Sequence, residues 1–136
     1  MTAERIKRIE RIRLAEHLPE PISHYTDAVR AGDTIWISGL LAVDAAGAIV
    51  GGSDVVAQAE QVFRNLAVVL EHSGAGFADV AKVVVYLVDI KSRGRINEVR
   101  QRYFGQARPA STLVAVSALA YPHALLEIDA VVYAPR

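Results

Sequence analysis

The sequence contains no cysteine, which excludes disulfide bridges, thiolate nucleophiles, zinc ribbons and iron–sulfur clusters. It has no surplus charge of either sign: 15 Lys and Arg offset 15 Asp and Glu. A chain that lives on nucleic-acid phosphates carries a basic excess, so nucleic acid is disfavoured as a partner. No apolar run approaches the roughly 18 residues needed to span a bilayer, and no membrane association is expected. Low-complexity tracts, internal repeats and long linkers are missing too. The 136 residues are 52% hydrophobic and 22% charged, a globular rather than a disordered composition. The basic start (Arg5, Lys7, Arg8, Arg11, Arg13) has no apolar stretch behind it and is interrupted by Glu4 and Glu10, unlike a secretory or transit leader. The expectation is one domain over residues 1–136 in a soluble, cytoplasmic protein.

The periodicities that are present suggest an element order β, β, β, α, β, α, β, β. Ile6 to Leu14 reads as a charged edge strand. Thr26 to Arg30 and Thr34 to Ser38 flank Ala31-Gly32-Asp33, a strand–turn–strand signal. Ser53 to Ser73 is the clearest helix, with Ser53 as N-cap and Gly74 at the C-terminal stop. Its stripe is Val55, Ala59, Val62, Phe63, Leu66, Val69 and Leu70, with Gln58, Arg64, Glu71 and His72 off it. Val80 to Ile90 is a β-branched run, and Ser92 to Phe104 a second helix burying Ile96, Val99 and Tyr103. Ser111 to Leu119 and Leu125 to Tyr133 close the chain as strands. Two helices among six strands imply an α+β layer with both helices on one face of the sheet.

The other face of that sheet then needs cover. Along the last strand Leu126, Ile128, Ala130 and Val132 share one side, and Leu125, Glu127, Asp129 and Val131 the other. Val83 to Val88 and Ser111 to Ala118 are largely apolar on both sides. An uncovered apolar face of that size points to packing against further subunits, so a homo-oligomer is expected. Glu127 projects from this mostly apolar face, where a carboxylate is costly unless paired. It reads equally as a general acid/base in an intersubunit cleft or as half of an interface salt bridge.

Several segments together resemble the RidA (YjgF/YER057c/UK114) family. They begin with Tyr25, Asp27 to Asp33, Ile37-Ser38-Gly39, Asn65-Leu66, Val68-Val69-Leu70 and Ser73-Gly74-Ala75. They continue with Lys82-Val83, Tyr86-Leu87, Asp89, Asn97-Glu98-Val99, Tyr103-Phe104, Pro109-Ala110 and Leu126 to Val131. The match runs in order from about Ile22 to Tyr133. It implies a chorismate-mutase-like subunit with a mixed sheet, assembled as a homotrimer whose sheets form a central barrel with helices outside. It also implies small-molecule ligands in clefts between subunits. It further implies hydrolysis of reactive 2-imino or 2-enamino acids to 2-oxo acids and ammonia, without metal or organic cofactor; some members are described as ribonucleases.

Family site positions transfer to Tyr25, Ser38, Asn97 and Glu127, which supply hydroxyls, an amide and a carboxylate able to hold and activate water. Deaminating members carry an Arg in a Pro-Ala-Arg-Ser/Thr motif, where a guanidinium can clamp a substrate carboxylate. Here Arg108-Pro109-Ala110-Ser111-Thr112, aligned without a gap, puts Ser111 in that place, so the substrate is not expected to be the usual 2-imino acid. Arg108 completes the candidate substrate-binding set with Tyr25, Ser38, Asn97 and Ser111, although a solvated surface position is its simpler reading.

The four histidines, His17, His24, His72 and His123, lack metal-ligand spacing; no metal or cofactor is expected, and His123 reads as an exposed loop residue. Trp36 shares a strand face with Ser38; it reads as core, with a wall of the ligand pocket as the alternative. The leading expectation is a cofactor-free hydrolase of a small imine or enamine with Glu127 handling the water. The alternatives are a non-catalytic metabolite-binding trimer and, more weakly, a ribonuclease.

Overall fold

A computed structural model describes residues 2–3 and 8–136. Strands β1 (Glu10–Ile12), β2 (Ala28–Ala31) and β3 (Thr34–Leu40) precede helix α1 (Val55–His72). Strand β4 (Val80–Leu87), helix α2 (Arg93–Phe104), β5 (Ala110–Ala115) and β6 (Leu126–Tyr133) follow. One six-stranded sheet runs β1-β2-β3-β6-β4-β5. Every described pairing is antiparallel except β4 with β5, as the crossover through α2 requires. The expected element order is observed. The first strand is shorter than Ile6 to Leu14, and Ile6, Lys7 and Arg5 lie outside the described residues.

Helix α1 forms because its apolar stripe repeats at helical spacing and is capped. Asp54, not Ser53, is the N-cap, its carboxylate accepting the Val56 N–H. All seven expected stripe residues are buried, and so is Gln58, which the periodicity had placed outside the stripe. Its burial is satisfied by the backbone: the side-chain amide donates to the Gly52 and His123 carbonyls and accepts the Leu125 N–H. Asn65 likewise donates to the Leu41 and Val43 carbonyls. These two amides tie α1 to the segments that follow β3 and precede β6.

The core lies between the helices and one sheet face, where Leu126, Ile128, Ala130 and Val132 of β6 and Val83, Val85 and Leu87 of β4 are buried. Each such aliphatic side chain contributes about 1.5–3 kcal/mol relative to exposure. Aromatic contacts fix α2 on this core. The Phe63 ring stacks on Tyr103 with centroids 5.1 Å apart and meets Phe104 edge-on at 5.9 Å, and Phe77 meets Phe104 at 5.2 Å. Glu60 of α1 adds an ion pair with Arg102 and accepts from the Tyr103 hydroxyl. Strand β5 stops at Ala115, short of the expected Leu119, because β4, its only sheet partner, ends at Leu87.

Neither α1 nor α2 covers the opposite face. It holds Val29, Trp36, Val131, Val84 and Val114, but also Lys82, Tyr86, Glu127 and Asp129. It is therefore less uniformly apolar than the strand patterns suggested. Polar groups on it pair locally: Lys82 Nζ donates to Thr112 Oγ1 at 2.8 Å and Tyr86 Oη to Asp129 Oδ2 at 3.0 Å.

Candidate functional site

The sequence-predicted site residues fall into two groups at different places on the sheet. The first is built by an irregularity in β3. Ile37 pairs with Ala130 and Leu40 with Ile128, so three steps on β3 oppose two on β6. The extra residue lies in the stretch holding Ser38 and Gly39, and Gly39 approaches Glu127 of β6, a typical use of a bulge beside a site. The Ser38 hydroxyl donates to the Thr26 carbonyl at 2.6 Å and its N–H to the Asp27 carbonyl at 3.0 Å, which locks its orientation and leaves oxygen lone pairs free to accept. A Cβ at Gly39 would overlap the Glu127 carboxylate. Only glycine permits this approach.

Glu127 lies on the uncovered face, half-buried, in a cavity of about 280 Å³ with Ser23, Tyr25, Ser38, Gly39 and Tyr121. Its carboxylate has no hydrogen-bond or ion-pair partner among the described residues. Burial, and secondarily the charge of Asp129, raise its pKa above the ordinary 4.5. Tyr86, its neighbour across the β4–β6 ladder, is held in its phenol form by its hydrogen bond to Asp129, then by burial. From Tyr25 and Ser38 the surface opens into a larger hollow of about 610 Å³ beside His24, Val29 and Trp36. Trp36 is 51% exposed, not core: its parity with Ser38 sets it on the helix-free face between Val29 and Val131.

The second group is Asn97, Arg108 and Ser111, which line a cavity of about 380 Å³ between α2 and the β5 edge. Asn97 and Arg108 are exposed. Ser111 is level with buried Val83, so its side chain faces the helix side of the sheet. There it accepts a hydrogen bond from Arg100 Nη2 at 2.8 Å. Arg100 was not singled out from the sequence, although it follows Asn97 by three residues and so shares its side of the helix. His123 is exposed, as expected, with φ 69°, and takes part through its carbonyl alone.

The two groups cannot meet within one chain. Glu127 is level with Tyr86, and Tyr86 with Val114. Ser111 is thus about 10 Å away along the strands and about 10 Å across them, on the other side of the sheet. Tyr25, Ser38 and Glu127 come together; Asn97, Arg108 and Ser111 come together elsewhere.

A family profile described as Endoribonuclease L-PSP matches residues 15–134. A RutC family protein of Pyrococcus horikoshii is 40% identical over 119 residues, covering 87% of this chain and 93% of its own. A 2-iminobutanoate/2-iminopropanoate deaminase of Mus musculus is 37% identical over 102 residues, covering 74% and 75%. The crystal structure of RidA from the Antarctic bacterium Psychrobacter sp. PAMC 21119 superposes with a TM-score of 0.84 at 33% identity, covering 91% of this chain and 98% of that one.

Proposed function

Since the chain belongs to the Endoribonuclease L-PSP family, the family of the RidA and RutC proteins, we propose that it is a cofactor-free hydrolase of a small reactive imine or enamine. The observation that carries this reading is the Glu127 carboxylate: half-buried, unpaired, laid against Gly39 and raised in pKa, among the neutral hydroxyls of Tyr25 and Ser38. A carboxylate freed of competing partners and shifted toward neutrality serves as both base and acid. The substrate enters as the iminium ion, already protonated on nitrogen; Glu127 takes a proton from water as the water oxygen bonds to the C=N carbon and the π pair moves onto nitrogen. Glu127 then protonates the amine of the resulting carbinolamine. The C–N bond breaks, ammonia leaves, and the carbinol oxygen becomes the carbonyl as its proton passes to the Glu127 carboxylate and from there to the departing ammonia. Deaminases of this imine class stand among the relatives.

The separation of the two residue groups supports a composite site completed by a second copy, in which Asn97, Arg108 and Ser111 of one subunit face Tyr25, Ser38 and Glu127 of another. A homotrimer closing its helix-free faces around a common centre fits that requirement. A cytoplasmic location belongs to the same reading; no described helix is long and apolar enough to cross a membrane. At the motif position the strand offers only the neutral Ser111 hydroxyl, which sets the substrate apart from the usual 2-imino acid unless charge reaches the cavity from another element.

Ammonia release from freshly generated imines, followed with the purified oligomer, tests the proposal. Acceleration over buffer that disappears in Glu127→Gln is expected, and no acceleration across a broad imine panel overturns it. The neutral Ser111 favours a second reading, a trimer that binds a small metabolite without turnover. Calorimetric binding with the ligand recovered unchanged by NMR would select it. Ribonuclease activity has less support, because neutral groups rather than cations surround Glu127.

A further inference from the structure

The chain has five tyrosines, and their hydroxyls meet unequal surroundings. Tyr86 and Tyr103 place theirs on the carboxylates of Asp129 and Glu60. Tyr133 stands exposed at the far end of β6. Tyr25 and Tyr121 line the Glu127 cavity together, and among the described residues neither hydroxyl has a hydrogen-bond partner. Tyr121 is partly buried. Its ring packs on the apolar cluster of Leu41, Val43 and Ala124, an apolar body with a polar tip. A tight turn holds it there. The Ala124 N–H donates to the Tyr121 carbonyl at 3.2 Å. Pro122 takes the second position of that turn and His123, at φ 69°, the third, the pattern of a type II turn. His123 is the one described residue other than glycine with a positive φ. Such a conformation persists where its surroundings impose it, so the turn is fixed. Tyr25 is held as firmly. Its N–H donates to the Ser23 carbonyl at 3.0 Å, and the carbonyl of the next residue, Thr26, accepts the Ser38 hydroxyl at 2.6 Å. Burial, and then the charge that Tyr25 would carry nearby, raise the Tyr121 pKa. Tyr121 therefore stays a phenol, able both to donate and to accept. A partly buried phenol normally finds a partner; here that partner has to come from what enters the cavity.

We propose that Tyr121 is a further substrate-contacting, specificity-determining residue of the Glu127 pocket, and that with Tyr25 it selects imines whose side chain carries a neutral oxygen, a hydroxyl or an amide, over their hydrocarbon isosteres. A phenol donates to such an oxygen and accepts from a hydroxyl or amide hydrogen. A hydrocarbon in the same space would strip water from two hydroxyls and return nothing, which is how a polar pocket rejects an apolar analogue. The cavity of about 280 Å³ limits that side chain to a short one. The word imine rests on the proposed hydrolysis; the oxygen-binding phenol pair does not.

The test uses the intact oligomer in two arms. In the first, freshly generated imines of 4-hydroxybutan-2-one and of its isostere pentan-2-one are compared by ammonia release in wild type, Tyr121→Phe and Tyr133→Phe. Wild type is expected to favour the hydroxylated imine by about 3–10-fold in kcat/KM, the worth of one neutral hydrogen bond. Tyr121→Phe keeps the ring and should bring the ratio toward one, with the hydrocarbon imine turned over as before. Tyr133→Phe removes an exposed hydroxyl from the other end of the same strand and should leave the ratio unchanged. The second arm needs no turnover: NMR titration with the two stable ketones should show the same preference in wild type and its loss in Tyr121→Phe. A ratio equal in wild type and Tyr121→Phe, with sedimentation unchanged, overturns the proposal, as does a wild-type preference for the hydrocarbon compounds. A ketone preference lost in Tyr121→Phe, without turnover of either imine by wild type, would sustain the oxygen site while removing the hydrolase reading.

Discussion

The Glu127 pocket and the Arg100 pocket are opposites in charge and alike in one respect: each holds a half-buried ionisable side chain without an ionic partner. Elsewhere such groups are provided for. Buried Asp27 accepts from Arg13 at 2.8 Å and from the Leu14 N–H at 2.7 Å, and buried Arg30 is saturated by carbonyls. Among the described residues Glu127 stands without a hydrogen-bond or ion-pair partner, and Arg100, like Lys82 and Asp129, meets only a neutral hydroxyl. Glu127 and Arg100 lie on opposite sides of the sheet, where they cannot neutralise one another within a subunit. Unsatisfied polarity of this kind marks places where the chain meets something outside itself.

The sharpest way to break that comparison is to remove the acidic member. Glu127→Gln should cost about 10²–10⁴ in kcat of imine hydrolysis, read by ammonia release. It should also raise stability at pH 7. The Glu127 pKa is raised in the folded state, so its ionisation above the ordinary carboxylate range opposes folding, and glutamine abolishes that penalty. The gain should fade below about pH 4, where the carboxyl is protonated in both states. Chemical denaturation of both proteins across pH 3–8 measures it, and a gain independent of pH would contradict the assignment.

Gly39→Ala leaves the carboxylate in place chemically but pushes it off its seat. The added methyl overlaps a flexible side-chain end, so the loss in kcat should be about 10–100-fold with a modest change in midpoint of urea unfolding. A large stability loss with proportionate activity would instead make Gly39 a folding residue. The acid limb of the kcat/KM profile should titrate above 4.5 in wild type and vanish in Glu127→Gln. Smaller in scope is Gln58→Ala, which leaves the Leu125 N–H and two carbonyls without their partner. It should destabilise by about 1–3 kcal/mol in denaturant titration, with kcat retained, since it touches neither pocket.

The element order and the core of α1 were legible because they follow from period and sign of hydropathy alone. So was the facing of β6, which put Glu127 on the uncovered side. What escaped had other causes. Gln58 is buried by hydrogen bonds to the loop just before α1 and to a second loop 65 residues on, and hydropathy counts it as polar wherever it sits. Ser53 and Asp54 are adjacent and both competent caps, so a one-residue choice fell to backbone geometry. The strand parity of Trp36 with Ser38 was legible, but its large apolar ring favoured a core position over the exposed one it takes beside the Tyr25 and Ser38 hollow. Arg100 gave no sign in composition; its significance depends on a hydroxyl eleven residues later and on the lack of an acid nearby, both products of tertiary packing. The replacement of the motif arginine by Ser111 was readable, but not that a guanidinium from α2 would lean on it.

The missing side chain at Gly39 has an evolutionary corollary. The floor under the Glu127 carboxylate is bare main chain, which point substitution can neither enlarge nor recolour without displacing that side chain. Descendants of this architecture that acquire new compounds must therefore do so from the remaining walls of that cavity, around Ser23, Tyr25 and Tyr121, while the place of Glu127 stays fixed.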